Sequence, residues 1–262
     1  MLKVWAIANQ KGGVGKTTTT VSLAGILAKL GRPTLLMDLD PHGSLSSYFG
    51  YDPDHAKNSI YQLFQDKAPE PQDILVETGI DHLALLPAST AMATLDRQLG
   101  SQMGKGLVIA NAVKALVNDF EFVLIDCPPI LGVLMVNAMA ACEHLIIPVQ
   151  TDYLAIKGLE RIINTLKMIA RASKRQLPYT IVPTMFDKRT RVSHDSLRIL
   201  REDYPYHLWE GVIPVDTMFR DACLTKKPLT ILKPNARGAI AYRHLLNRQL
   251  NIVTKPETEL MA

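Results

Sequence analysis

The chain has 262 residues, is 47% hydrophobic and carries a formal net charge of +4 at pH 7. These values are typical of one sizeable globular domain, and no internal repeat or low-complexity stretch interrupts the sequence. No run of 18 apolar residues occurs, which excludes a transmembrane helix, and the start of the chain does not read as a signal peptide. The three scattered cysteines predict reduced core thiols in a cytoplasmic protein, and not a disulfide framework or a zinc site.

The charge is unevenly distributed along the chain. Residues 1–150 carry 10 Lys and Arg against 14 Asp and Glu, a net −4, whereas residues 151–262 carry 19 against 11, a net +8. A basic half beside an acidic half indicates a polyanion as a partner, and a solvated basic surface without a partner is the alternative.

Apolar strand-like runs alternate with helix-like runs along the chain. The predicted strands are Val4–Ala8, Thr34–Met37, His82–Leu86, Glu121–Ile125, His144–Val149, Tyr179–Thr184 and Leu208–Ile213. The predicted helices are Lys16–Leu30, Ser59–Gln65, Leu107–Val117, Gly132–Ala141, Ile156–Ala172, Ser193–Tyr204 and Gly238–Leu250. This alternation predicts an α/β fold, a doubly wound and mostly parallel sheet with helices on both faces. We expect a single domain over residues 1–253, with a flexible polar tail over 254–262.

A glycine-rich loop lies between the first predicted strand and helix. It reads Lys11-Gly12-Gly13-Val14-Gly15-Lys16-Thr17-Thr18. Such a loop wraps phosphates with backbone N–H groups at a helix N-terminus, with Lys16 placed for the β- and γ-phosphates and Thr17 for Mg²⁺. The usual pattern has a further glycine where this chain has Gln10, and a second lysine, Lys11, follows. The motif predicts a P-loop NTPase; a structural turn is the alternative.

Acidic residues follow two of the apolar strands. Asp126 stands where a P-loop protein holds Mg²⁺, and Pro128-Pro129 stiffens the loop after it, as in a γ-phosphate sensor. Asp40 is the candidate for orienting the attacking water, and Asp38 is expected near the metal or the glycine loop. The alternatives are a helix cap for Asp126 and an Asp-Pro turn for Asp40.

Together these segments resemble the ParA/MinD family of deviant Walker A ATPases. The resemblance is carried by the glycine loop, Asp38-Leu-Asp40-Pro and Ile125-Asp126-Cys-Pro-Pro129, and later segments around Thr184, Ile213-Pro214 and Ala236 follow in the family's order. It implies ATP and Mg²⁺ as cofactors and an ATP-sandwich homodimer, in which Lys11 reaches the partner's nucleotide and Gly12 lies at the junction. The residues that it implies for the nucleotide are Gly12, Gly13, Val14, Gly15, Lys16, Thr17 and Thr18, with Thr184, Met185, Pro214 and Asp216 at the adenine.

The chain resembles three branches of this family less well. The end of the chain has a proline, two acids and no apolar face, so it does not resemble the membrane helix of MinD-like proteins. Only ten residues precede Lys11, too few for the N-terminal helix-turn-helix of long plasmid ParA proteins. Cys127 and Cys142 do not match the cluster ligands of nitrogenase-type iron proteins.

What remains resembles the short ParA-like proteins, which bind DNA without sequence preference as ATP dimers. Dimerisation doubles the phosphate contacts of the basic half and so acts as a switch. The candidate DNA contacts are Arg201, Lys226, Lys227, Lys233, Arg237 and Arg243. Each of them singly also reads as an ordinary surface residue.

Two departures from the partition pattern suggest a narrower group. Position 42 is His instead of the usual Gln, and residues 215–222 differ from the usual run. These segments resemble the ParA-like proteins encoded with chemotaxis genes, called ParC-type, which place chemoreceptor arrays at cell poles through an adaptor and a polar hub protein. We therefore expect a weak ATPase at the nucleoid or the pole. The alternatives are DNA segregation with a ParB-type partner and a metabolic P-loop enzyme.

Overall fold

The computed structural model describes residues 2–95, 98, 105–173 and 175–251. Within them, seven strands form one sheet in the order β3-β4-β2-β5-β1-β6-β7. The strands are β1 (Lys3–Ile7), β2 (Thr34–Asp38), β3 (Val76–Ile80), β4 (Leu83–Leu86), β5 (Phe122–Asp126), β6 (His144–Gln150) and β7 (Tyr179–Thr184). All neighbouring strands are parallel except β3, which runs antiparallel to β4. The mostly parallel sheet predicted from the alternation is confirmed.

Helices cover both faces of this sheet. The α-helices are α1 (Lys16–Lys29), α2 (Ser44–Tyr48), α3 (Val108–Ala115), α4 (Val133–Ala141), α5 (Tyr153–Ser173), α6 (Arg191–Asp203), α7 (Met218–Leu224), α8 (Leu229–Leu232) and α9 (Arg237–Gln249). Short 3₁₀ turns lie at Ile60–Phe64, Pro71–Ile74, Thr90–Thr94 and Lys105–Leu107. Among the described residues, no helix is both long enough and apolar enough to cross a membrane.

The central strands are apolar along their whole length because both of their faces are buried. In β5, Val123 and Ile125 pack into the core formed with α3, α4 and α5, while Phe122 and Leu124 pack into the core under α1 and α9. Side chains alternate between the two faces of a strand, so a strand covered on both faces needs apolar residues at every position. This packing holds the carboxyl ends of β1, β2 and β5 at one edge.

Close packing on α8 fixes the position of α1. A Cβ at Gly25 would lie 2.5 Å from Thr230 Oγ1 and 2.6 Å from Pro228 Cβ. The Thr230 hydroxyl also donates a hydrogen bond to the Ser22 carbonyl at 3.2 Å. Glycine therefore allows the two helices to approach closely enough to fix the axis of α1, whose N-terminus begins at the glycine loop.

The prediction of a last strand at Leu208–Ile213 is wrong. This segment forms only isolated bridges, Ile181 with Leu208 and Phe186 with Pro214. The Ile213 N–H donates to the Pro183 carbonyl of β7, but Pro183 has no N–H to continue the ladder outward. The chain also folds back at Gly211, where a Cβ would meet the Trp209 ring at 2.5 Å.

Other differences concern short or half-exposed elements. The edge strand β3 was not predicted, because Gly79 interrupts it and it has no buried apolar run. The short helices α2, α7 and α8 were not predicted, and the predicted helix at 59–65 is a shorter 3₁₀ turn. Helix α5 begins three residues earlier than predicted, because Asp152 Oδ1 accepts the Ala155 N–H at 2.9 Å and caps its first turn. The tail predicted over 254–262 lies outside the described residues.

Candidate nucleotide-binding site

The glycine loop joins β1 to α1 in a backbone conformation that requires glycine. Gly13 and Gly15 have φ of 72° and 90°, in the left-handed region that residues with a Cβ rarely adopt. A Cβ at Gly12 would meet no atom within 4 Å in this chain, so the fold of one chain does not require glycine there. The loop therefore presents its N–H groups, together with the N-terminus of α1, to a common space.

A cavity of about 490 Å³ lies in front of this loop. Its lining comprises Gly12, Gly13, Gly15, Lys16, Thr17, Thr18, Asp40, His42, Ser44, Pro129 and Met185. Within the described chain, the Lys16 ammonium makes no ion pair, although the side chain is only 8% exposed. A buried cation at a helix N-terminus beside free N–H groups forms a binding site for an anion such as a polyphosphate.

Two carboxylates lie side by side behind the loop. Asp38 ends β2 and Asp126 ends β5, and they are directly opposite in the parallel register. Burial raises the pKa of Asp126, and the neighbouring Asp38 carboxylate raises it further. Burial likewise raises the pKa of Asp38. The charge of Lys16 lowers the pKa of Asp126 but does not outweigh burial, so a further cation bound at this edge would stabilise the two carboxylates.

The donors beside this pair suit magnesium bound together with phosphate. The Thr17 hydroxyl lies 2.7 Å from Asp126 Oδ2, to which it donates a hydrogen bond. The described residues contain no group of three or more His, Cys, Asp or Glu that could hold a metal by itself. A hydroxyl and one carboxylate are what Mg²⁺ uses when phosphate oxygens and water complete its octahedron, so the residues present fit the ion.

Asp38, which lies opposite Asp126, also anchors the loop that follows β2. Its Oδ1 accepts the Asp40 N–H at 3.2 Å, and its Oδ2 accepts both the Ser46 N–H and the Ser46 hydroxyl at 2.7 Å. These bonds anchor the loop over residues 40–46, and Asp38 does not line the cavity. Thr17 and Asp126 are in direct contact and form the centre of the magnesium site proposed below, and Asp38, which lies opposite Asp126, stays a predicted member of it.

Asp40 lies at the cavity and is hydrogen-bonded by His42. Its Oδ1 accepts the His42 N–H at 3.0 Å, and His42 Nδ1 lies 2.9 Å from the same oxygen. Both residues line the same cavity as Lys16 and Thr17. Asp40 thus faces the space where the terminal phosphate of a nucleotide on the loop would lie.

Lys11 does not line the cavity in the single chain. Its ammonium forms an ion pair with Asp152, at 2.9 Å from Oδ2 and 3.2 Å from Oδ1. Partial burial by itself raises the pKa of Asp152, but the hydrogen bond and charge of Lys11 outweigh it and hold that pKa below its ordinary value. A Cβ at Gly158 would lie 3.4 Å from Lys11 Cβ, so glycine in α5 allows the lysine to lie close against the helix.

Only one of the four expected adenine residues lines the cavity. Met185 does so, with φ of 52°. Thr184 lies behind the loop, where its hydroxyl donates to the Val14 carbonyl at 2.8 Å. Asp216 accepts the N–H groups of Met218 and Gly238, while Pro214 pairs with Phe186 beside β7. These residues support the loop and the neighbouring helices.

The structure divides the expected DNA-binding residues between the two faces of the sheet. Arg201 lies on α6, whose Leu200 packs into the core on the α5 side. The other five lie on or between α7, α8 and α9, on the α1 side. Lys226 and Lys227 lie beside α2: a Cβ at Gly50 would be 2.3 Å from Lys226 Nζ, and the Lys227 carbonyl accepts the Tyr48 hydroxyl. Arg201 therefore does not belong to the same cluster as the others.

Two contacts of the site involve residues that the sequence reasoning did not identify. Ser46 hydrogen-bonds Asp38, and Asp152 pairs with Lys11 across 141 positions of sequence. The only local signal for Asp152 is an acidic residue just before a predicted helix, which by itself indicates a cap.

Comparison with known proteins gives a consistent result. The AAA domain family model (AAA_31) matches residues 2–179. The chain is 32% identical to the sporulation initiation inhibitor protein Soj of Bacillus subtilis, over 94% of this chain and 97% of that protein. It is 31% identical to the chromosome partitioning protein ParA of Myxococcus xanthus, over 94% of this chain and 88% of that protein.

One solved structure, about as identical in sequence to this chain as Soj and ParA are, has a name that differs from theirs. The cobyrinic acid a,c-diamide synthase of Mycobacterium smegmatis, with bound ADP and magnesium, is 34% identical and has a TM-score of 0.84, covering 96% of this chain and 95% of that one. Its form with a bound ATP analogue and magnesium has a TM-score of 0.83 at 33% identity. The fold is therefore the single-domain α/β fold of the P-loop NTPases, and the chain belongs to the AAA domain family, AAA_31, among its ParA-like ATPases.

Proposed function

We propose that this protein is a ParA-like positioning ATPase that binds Mg²⁺-ATP at the glycine loop and dimerises in the ATP state. One observation carries the proposal. The loop, Lys16 and Thr17 line one cavity, and the Thr17 hydroxyl bonds Asp126, one of two neighbouring buried carboxylates. The structures of the synthase with an ATP analogue and magnesium, at 33% identity, support this choice of ligands.

In this proposal, different residues of the chain bind the phosphates, bind magnesium and orient the attacking water. The loop N–H groups and Lys16 hold the phosphates, and Thr17 and Asp126 hold magnesium, which neutralises charge on the phosphate oxygens. Asp40, which lines the same cavity, orients the attacking water. Little else is needed, because phosphoryl transfer depends mainly on positioning and on electrostatic stabilisation. We expect slow turnover.

The surface around Lys11 supports a dimer. Apolar side chains are exposed on the loop after Asp126 and at the start of α5: Ile130, Leu131, Tyr153 and Leu154. Exposed large apolar residues of this kind mark interaction surfaces. In the proposed dimer, Lys11 leaves Asp152 and reaches the partner's phosphates, while Gly12 permits close contact between the two loops.

The cargo that we propose is a chemoreceptor array, placed at the cell pole through an adaptor and a hub protein. The sequence pattern at residues 38–51 and 215–222 supports this choice. The names of Soj and of the Myxococcus xanthus ParA favour a second candidate, DNA segregation with a ParB-type partner. In both, non-specific DNA is the surface to which the ATP dimer binds, and the cluster on the α1 side supplies the contacts.

A fluorescently tagged copy at its native locus tests the choice of cargo. Polar foci that persist when the chromosome is condensed favour the arrays, whereas patterns that follow the nucleoid or its origins favour segregation. A Lys16→Ala copy is the matched control, because it removes nucleotide binding and should make either pattern diffuse. A diffuse wild-type copy would contradict both.

The name of the Mycobacterium smegmatis structure, a cobyrinic acid a,c-diamide synthase, favours a third candidate, a metabolic P-loop enzyme that acts on a small molecule. Steady-state ATP hydrolysis separates this candidate from the others. Stimulation by duplex DNA supports the positioning ATPase. Rapid turnover that needs a small acceptor, with no effect of DNA, would overturn it.

A further inference from the structure

Asp40 is held by two donors from a single residue. The His42 main-chain N–H donates to Asp40 Oδ1 at 3.0 Å, and His42 Nδ1 lies 2.9 Å from that oxygen. A carboxylate oxygen only accepts, so Nδ1 carries the hydrogen of this bond. The structure gives Asp40 Oδ2 no donor from the described residues. Asp40 Oδ1 is therefore hydrogen-bonded within the loop, and Oδ2 can accept a hydrogen bond from a water molecule.

The main chain of this loop is fixed independently of the imidazole. The Asp40 N–H donates to Asp38 Oδ1, and the Gly43 N–H donates to the Asp40 carbonyl at 2.8 Å. Gly43 has φ of 60°, and Pro53 packs so closely that a Cβ at Gly43 would lie 2.1 Å from Pro53 Cγ. The His42 main-chain N–H restrains the Asp40 side chain through Oδ1, and His42 Nδ1 adds a second restraint on the same oxygen.

We propose that His42 is a positioning residue for ATP hydrolysis: its Nδ1–H bond holds the Asp40 carboxylate so that Oδ2 accepts a hydrogen bond from the attacking water. The inference rests on the proposed function, in which Asp40 orients that water. His42 is 77% exposed and the Asp40 side chain 14% exposed, so the imidazole contributes little to the core and acts through its contact with the carboxylate.

The expected effect is on turnover and not on nucleotide affinity. A hydrogen bond to a charged group contributes enough for its loss to lower a rate by roughly tenfold, provided that it sets the geometry of the reacting groups. Binding of the phosphates depends on the glycine loop and Lys16, which His42 does not contact through any hydrogen bond that the structure shows. kcat should therefore fall while KM stays unchanged.

The chain contains a matched control pair. His55 Nδ1 lies 2.7 Å from Asp52 Oδ2, and the Asp54 N–H donates to Asp52 Oδ1 at 2.9 Å. Both side chains are exposed and neither lines the cavity in front of the glycine loop. If removing any surface His–Asp contact lowered turnover, His55→Ala would lower kcat as much as His42→Ala does.

The experiment compares four variants of the full chain with the wild type: His42→Ala, His42→Gln, Asp40→Ala and His55→Ala. The measurements are kcat and KM for Mg²⁺-ATP hydrolysis with duplex DNA, ADP affinity by calorimetry, and the thermal unfolding midpoint. We expect kcat roughly tenfold lower in His42→Ala, with KM, ADP affinity and midpoint unchanged. In His42→Gln, whose side-chain amide still donates to Asp40, kcat should return to within about threefold of wild type.

Several results would overturn the inference. They are wild-type kcat in His42→Ala, kcat in His42→Gln no higher than in His42→Ala, a change in KM or ADP affinity that accounts for the loss, or an equal loss in His55→Ala. Failure of the proposed function looks different, because either the wild type does not hydrolyse ATP or Asp40→Ala retains wild-type turnover. Normal turnover in His42→Ala beside an inactive Asp40→Ala contradicts only the role of His42.

Discussion

Removing the carboxylate that holds Lys11 should promote the ATP dimer. In the single chain, Lys11 Nζ lies 2.9 and 3.2 Å from the two oxygens of Asp152. If Lys11 must leave this partner to reach the second nucleotide, the ion pair opposes dimerisation. Asp152→Asn removes the charge, and its side-chain oxygen can still accept the Ala155 N–H that begins α5. The variant therefore isolates the ion pair from the helix cap.

The size of the effect follows from solvent exposure. Both side chains are 29% exposed, so the bare Coulomb energy at 2.9 Å is strongly screened. Ion pairs near a protein surface contribute about 0.2–1 kcal/mol each. A dimer breaks two of them, or about 0.4–2 kcal/mol, which corresponds to about twofold to thirtyfold in the dimerisation constant. Salt should reduce the difference between variant and wild type.

Sedimentation equilibrium with Mg²⁺-ATP measures this constant, in an Asp40→Ala background that prevents turnover. Glu160→Gln is the matched control, because it removes the Lys157–Glu160 ion pair on the same helix without touching Lys11. Lys11→Ala should abolish the dimer and hydrolysis. Equal or weaker dimerisation of Asp152→Asn, or wild-type turnover of Lys11→Ala, would refute the reasoning.

Three further predictions concern stability and DNA. Gly25→Ala should lower the free energy of unfolding by about 1–3 kcal/mol in urea denaturation, because its Cβ would clash with Thr230; an unchanged midpoint contradicts this. Burial raises the pKa of Asp126 from 3.8 to about 8, so the ligand-free protein loses stability as pH rises from about 4 to about 8, and Asp126→Asn should flatten that loss in thermal unfolding by about 1 kcal/mol or more at pH 8. Lys233→Glu and Arg237→Glu should each weaken DNA retention and reduce its salt dependence, whereas unchanged salt-dependent retention would count against the cluster.

Short-range patterns in the sequence determined the architecture. Apolar strands alternating with amphipathic helices required a mostly parallel sheet, because only strands buried on both faces are apolar throughout. The left-handed φ of Gly13 and Gly15 follows directly from the motif. Where such local signals are weak, as in the edge strand β3 or the short helices after residue 217, the prediction failed. At Leu208–Ile213 an apolar run was misleading, since Pro183 of the neighbouring strand offers no N–H to pair with it.

The sequence by itself determined the class of chemistry: a phosphate loop with Lys16 and Thr17, and acidic residues at strand ends. Tertiary structure alone decided which of these groups meet. It placed Asp38 opposite Asp126, paired Lys11 with Asp152, and separated Arg201 from the other basic residues. The reason is that strand order and helix packing bring together residues far apart in the sequence, 88 positions for Asp38 and Asp126 and 141 for Lys11 and Asp152, and periodicity does not encode that order.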